Sequence, residues 1–435
     1  MKHLLQSISK VCVFSLMSTI AWAGGDLAND LKSGQLWNMG KTALLNKYIT
    51  GELMTWVNQE KTQLRIPKPT ITLSNASLGE TLLDWNGDKL DHITIMIFNK
   101  GDYATANNNA TISREDFDTL LKNTQNTITT LTGAKPKNIQ TNRRESVVKV
   151  KGWVWQWDNG VAMLEENATR DKRSGKFEAE FIRLKLAATP QAIARNTASD
   201  RASRSDIKKN VEKTGKRLVI KNIPMVDQGD KGYCAVATAA RLFSYYGMDD
   251  VDQHELASMA ETSASGGTNS LYMIESLKKM GGKFQIRLRE LDSLTNVKTL
   301  RAFLKQYNRI AGRMKKQKLN ENSFNLSHIL ENADVEVMKK ARAGSPSQIS
   351  KWLSPIKKYI QTGVPVIWSV QLGLVPEPGL PQASGGHMRL IIGYDEEKQT
   401  IIFSDSWGAM HSEKEMPVDD AVTITTGRYI MQPSS

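Results

Sequence analysis

Only one of the two cysteines in this 435-residue chain, Cys234, stands where a thiol could react. A cysteine attacks as thiolate, so its pKa must be lowered by the amino end of a helix, by a neighbouring imidazolium, or by both. Gly232 lets the chain approach closely, and the run Ala235 to Tyr246, stopped by Gly247, reads as a helix that begins at the thiol. The free N–H groups of a first helical turn can hold an oxyanion if a second donor faces them. Gln228, six positions earlier, is placed to supply it.

The base should be a histidine. His387 follows Ser384-Gly385-Gly386 and opens the apolar strand Met388 to Gly393, which would hold the ring rigidly while the glycines leave room for a ligand's backbone. The other histidines fit less well. His92 opens a strand far away in the chain and reads as structural, His254 reads as part of a solvated helix face, and His328 lies in an Asn-rich loop. His411, in an exposed-looking loop, is the rival base. The imidazole needs an orienting acceptor, and the next strand, 400–404, ends in Asp405-Ser406-Trp407-Gly408. Adjacent antiparallel strands would set His387 beside Asp405, with Trp407 shielding their hydrogen bond.

Gln-x5-Cys, a glycine-preceded His and Asp-Ser-Trp-Gly, in that order, resemble the papain-like cysteine peptidases. The resemblance covers roughly residues 217–432. It implies that Cys234, His387 and Asp405 are catalytic, and that Gln228 forms the oxyanion hole with the Cys234 N–H. Cys234 and His387 are 153 residues apart, close to the spacing of that class. Ser265-Gly266-Gly267 is similar to the glycine pair that hydrogen-bonds substrate backbone, so Gly266, Gly267, Gly386 and Trp407 are expected to border the substrate. The chain departs from papain proper in three ways: no disulfide-forming cysteine near the nucleophile, Ala235 where papain has Trp, and Asp405 in place of Asn. Asp405 and the helix sequence resemble more the double-glycine, bacteriocin-leader-processing branch. The transporter segments that usually accompany that branch are absent.

The elements that would carry these residues follow from periodicity. From 217 onward, helices at 235–246, 252–260, 269–280, 297–318 and 346–361 give way to strands at 365–371, 387–394, 400–404 and about 422–431, an α+β arrangement with a cleft between two lobes. Residues 24–190 read as a separate α+β domain: one or two amphipathic helices over 26–60, a strand at 92–98, a helix at 114–131 behind Ser113, and a hairpin turning at Asn159-Gly160. Trp153, Trp155 and Trp157 share one strand face, as core or as a stacking platform for ligands. Residues 191–216 carry seven Lys/Arg against three Asp/Glu and no aromatic, which reads as a basic linker and suits a processing site.

Lys2 and Lys10, the apolar run Val11 to Ile20 and Ala21-Trp22-Ala23 make a secretory signal, so export to the periplasm or medium with cleavage near Ala23 is expected. Its loss removes Cys12 and two lysines, leaving a charge of +11 from +13 and a single thiol with no internal disulfide partner. The remaining 40% apolar and 24% charged composition suits a globular chain, and no later stretch is apolar for long enough to span a bilayer. The expected activity is peptide-bond hydrolysis through a thioester, without metal or other cofactor and without nucleic acid. Two alternatives use the same residues differently. An amine could resolve the acyl-enzyme, as in transpeptidases and transglutaminases, or the scaffold could be a dead binding module using the tryptophans and the basic helix 297–318 on an anionic surface or polymer.

Overall fold

The computed structural model describes residues 25–434 except 109, 141–147, 171–174, 194–201, 230–231, 249–250 and 261–269. The expected signal at 1–23, and Gly266 and Gly267, lie outside the described residues. Helices and two antiparallel eight-stranded sheets make up most of the rest.

The first sheet belongs to the amino-terminal part. Its central strands are Lys89–Asn99, Phe177–Ala187 and Gly160–Arg170, and the hairpin from Lys151–Trp157 turns where the Asn-Gly pair predicts. The helix Arg114–Thr132 is capped by the Ser113 hydroxyl, which accepts from the Asp116 N–H at 3.0 Å, and it ends on Gly133. Phe117 on that helix meets Phe98 edge-on at 5.6 Å. The tryptophan stripe is core: Trp155 is fully buried and donates to Thr129, while Trp153 and Trp157 pack against the same apolar cluster. The one or two amphipathic helices expected over 26–60 are instead the helices Ala28–Ser33, Gln35–Asn38 and Lys41–Leu44, a π-turn, and an edge strand at Thr55–Trp56. Gly34, at a φ of 78°, breaks the first helix from the second.

The second sheet runs in the order Val211–Thr214, Arg217–Ile220, Gly385–Asp395, Val366–Leu372, Thr425–Pro433, Ile286–Ser293, with Thr400–Ser404 and Lys414–Pro417 branching from Gly385–Asp395. A separate hydrophobic cluster lies beneath it, built on Cys234–Tyr245 and Pro346–Ile360. The expected helix 297–318 is Val297–Met314, ended by Lys315 in the left-handed conformation. Leu300, Phe303, Leu304 and Tyr307 are buried against Ile329, Leu330, Val337 and Met338, and the lysines and arginines face solvent. Residues 422–424 of the expected last strand belong to the helix Val418–Ile424, and the strand itself is Thr425–Pro433.

The linker expectation needs correction. Residues 204–216 are structured: Ser203 and Asp206 form a reciprocal capping box on Arg204–Lys209, and Val211–Thr214 turns at Gly215 to pair with Arg217–Ile220. One buried side chain, Ile207, anchors the helix to the second cluster, so a segment that looks too charged to bury anything is held by caps and ladder bonds.

Candidate active site

Cys234 is the first residue of Cys234–Tyr245 and is partly exposed. Among the described residues no side chain caps this helix end, so its N–H groups and partial positive charge face the thiol. Alanines fill most of the first turns, and Ala235, Val236, Ala237, Thr238 and Ala239 are all buried. Small side chains bring this helix against the strand Gly385–Asp395, where the Thr238 hydroxyl donates to the Met388 carbonyl at 3.1 Å. That contact fixes the thiol's helix beside the strand that carries His387.

His387 is buried, and its Nε2 lies 2.9 Å from Asp405 Oδ1. Nδ1, also buried, makes no hydrogen bond of good geometry, but the ring and the Cys234 thiol couple as hydrogen-bonding and electrostatic neighbours. Such a contact is often loose before substrate binds. Trp407 stacks on the imidazole with ring centroids 4.2 Å apart and planes 2° from parallel. Trp407 is itself nearly buried, so it shields the ring and is not an open platform for substrate. Gly386, by contrast, is exposed, with no atom within 4 Å of where a Cβ would stand.

The strand register explains the meeting. Leu390 pairs with Ser404. Continued beyond the strand end, that register sets Asp405 beside Arg389 and Trp407 beside His387. Arg389, wholly buried, donates from Nε to Asp405 Oδ1 at 2.8 Å and from Nη1 to Glu377 Oε2 at 2.9 Å. Sequence reasoning passed over it, although His387 and Arg389 must share a strand face because side chains alternate. Arg241, four residues beyond Ala237 on the thiol's helix, was also missed. It donates to the carbonyls of Pro224 and Asp405 and to the Ser404 hydroxyl, tying that helix to both neighbouring loops.

Gln228 is buried. Its N–H donates to the Ser406 carbonyl at 2.9 Å, and its Oε1 accepts from the Ser406 hydroxyl at 2.7 Å. Holding the oxygen this way leaves the amide nitrogen at the opposite edge of the group.

The electrostatics follow. Burial alone would raise the thiol's pKa, but His387 and the N–H groups of Met388 and Ala235 outweigh it and lower it. Burial alone would lower the imidazole's, but Asp405 and Cys234 raise it. Burial would raise Asp405's, but Arg389 and then His387 hold it at about 2. Such opposed shifts on adjoining groups favour a thiolate beside an imidazolium.

His411 is a supporting residue. Its carbonyl accepts from the Asp405 N–H, its ring stands edge-on to Trp407, and burial with Lys414 nearby lowers its pKa. His92 lies between Asp84 and Asp91. His254 is buried against Tyr233 and not solvated as its neighbours suggested, because the first sheet covers that helix. Among the described residues no three His, Cys, Asp or Glu side chains are grouped to hold a metal, and no helix is long and apolar enough to cross a membrane. A cavity of about 890 Å³ lies between the two sheets, lined by Asp84, His92, Asp227 and Arg241 among others; neither Cys234 nor His387 borders it.

Residues 220–432, just under half of the chain, match the Peptidase_C39 like family. The matched region coincides with the part of the chain whose motifs resemble the papain-like cysteine peptidases. The protein is a cysteine peptidase. Among solved structures, xylellain, a cysteine protease from Xylella fastidiosa, is similar at 13% identity and a TM-score of 0.27, over 55% of this chain and 94% of that one. No curated protein matches the chain. The peptidase region includes Gln228, Cys234, His387 and Asp405.

Proposed function

We propose that the chain is an exported peptidase that cleaves peptide bonds with Cys234 as nucleophile, His387 as general acid and base, and Asp405 as the residue orienting the imidazole. The observation carrying this reading is a buried imidazole held at Nε2 by a carboxylate and adjoining, through its other edge, a thiol at a bare helix start.

The Cys234 thiolate adds to the scissile carbonyl. The Gln228 amide and the Cys234 N–H donate to the oxyanion that forms. His387 gives its proton to the leaving amine, and the C–N bond breaks to leave a thioester. Water, deprotonated by His387, then attacks the thioester, releasing the acid and restoring the thiolate. Gly386 leaves space for the substrate backbone, and Trp407 keeps water from the His387–Asp405 bond. In this reading the helices and strands after 217 form the two lobes of a papain-like fold, 24–190 is a further domain, and 1–23 is the removed signal.

Labelling with a peptidyl epoxide or vinyl sulfone tests the assignment. The adduct should map to Cys234 and be lost in His387→Ala, and the exported protein's mass should correspond to a chain starting near Gly24. An adduct at Cys234 that forms as fast without His387 would refute the proposed pair. Acyl transfer to an added amine in preference to water would reassign the second half-reaction.

A further inference from the structure

The sequence treats the amino-terminal region as detachable, yet that region, through two strands of its sheet and the helix Lys100–Ala106, touches each of the three loops that carry the site. Arg65, on the strand Gln63–Ile66, is 8% exposed and pairs with Glu80 at 2.8 Å. Its other terminal nitrogen lies 3.8 Å from Asp227. Asp227 Oδ1 in turn accepts from the Gly229 N–H at 2.9 Å, so it braces the turn on both sides of Gln228. Gly229 has a φ of 64°, and a Cβ there would stand 2.4 Å from the Arg65 guanidinium, so the guanidinium packs directly on the loop's backbone. Tyr233, just before the thiol, is buried and receives a hydrogen bond from the Gly101 N–H. Thr55 and Trp56 come within 3.2 and 3.5 Å of a Cβ built on Gly408, just after Trp407.

We infer that the amino-terminal sheet is a permanent part of the peptidase, and that Arg65 is a positioning residue that holds the Gln228 loop in its oxyanion-binding conformation through Asp227 and Gly229. This rests on the proposed roles of Cys234 and Gln228. Ser406 holds Gln228 from the peptidase side, and Arg65 holds the same turn from the opposite side. A guanidinium suits this because it stays charged and its planar fork can meet Glu80, Asp227 and a glycine backbone together.

Two reactions at the same sulfur separate positioning from general loosening. Hydrolysis passes through an oxyanion, whereas alkylation by iodoacetamide needs only the thiolate. In the full chain, Arg65→Met with Glu80→Gln removes the guanidinium together with the charge of its closest carboxylate partner, while Asp227 keeps its bond from the Gly229 N–H. The double variant should lose about tenfold or more in kcat and equally in kcat/KM, because a donor used only in the transition state is displaced. Its Cys234 alkylation rate and pH profile should match the wild type. Unchanged hydrolysis overturns the inference, as does a parallel fall in both reactions. If the double variant does not fold, Asp227→Asn read by the same two assays decides in the same way. A wild type that hydrolyses with no dependence on Cys234 would instead refute the underlying assignment, whatever the variants do.

Discussion

Cys234 and His387 titrate toward each other: the thiol falls from its usual range and the imidazole rises from its own. Hydrolysis should therefore follow a bell in pH, with an acid limb set by ionisation of the thiol and an alkaline limb set by loss of the imidazolium proton. Asp405 raises the imidazole's pKa, so Asp405→Asn should move the alkaline limb to lower pH in a pH–kcat/KM profile; an unmoved limb would remove Asp405 from the site. Asp405 also links the site to stability. Its carboxyl titrates at about 2 in the folded chain against 3.8 ordinarily. A depressed folded value stabilises above the unfolded one, so about 2 kcal/mol present above ~pH 4 should be lost as pH falls toward 2. Acid titration of the unfolding midpoint in the wild type and in Asp405→Asn measures this; equal slopes would contradict it. Gln228, Cys234, His387 and Asp405 were all legible in the sequence because a thiol, a glycine-flanked imidazole and a strand-end carboxylate announce themselves by type. Arg389 was not, because a buried arginine reads as a surface charge until its partners are known.

At the scale of elements, the site depends on one helix lying close against one strand. The alanine-rich start of Cys234–Tyr245 permits the approach, and Thr238 and Arg241 fix it. Thr238→Val should cost about 1 kcal/mol, the worth of one hydrogen bond, in denaturant unfolding. Arg241→Met should cost more, roughly 3–5 kcal/mol, because the carbonyls of Pro224 and Asp405 and the Ser404 hydroxyl lose a shared buried donor. Activity should fall with it. A loss under about 1 kcal/mol would mean the clamp is incidental. Strong periodicity made the His387 strand and its neighbours readable. Residues 204–216 were not, since their order comes from a capping box and ladder bonds and not from an apolar pattern.

For the whole molecule, the unforeseen feature is how the first sheet meets the peptidase region. Arg183, almost fully buried, pairs with Glu165 on its own sheet and with Asp252 and Glu255 beyond it. Polar contacts this distant in sequence leave no local signal, which is why 24–190 looked separable and His254 looked solvated. With an engineered protease site placed within 194–201 and then cut, the two pieces should co-elute on gel filtration and keep wild-type hydrolysis, whereas separation with retained activity would contradict a built-in role for the sheet. The account as a whole stands on the thiolate that His387 sustains. The most direct measurement is the rate of Cys234 alkylation against pH in wild type and His387→Ala. The wild type should react well below the ordinary thiol range of about 8.5, and the variant's profile should move up toward that value. Coincident profiles would contradict the account.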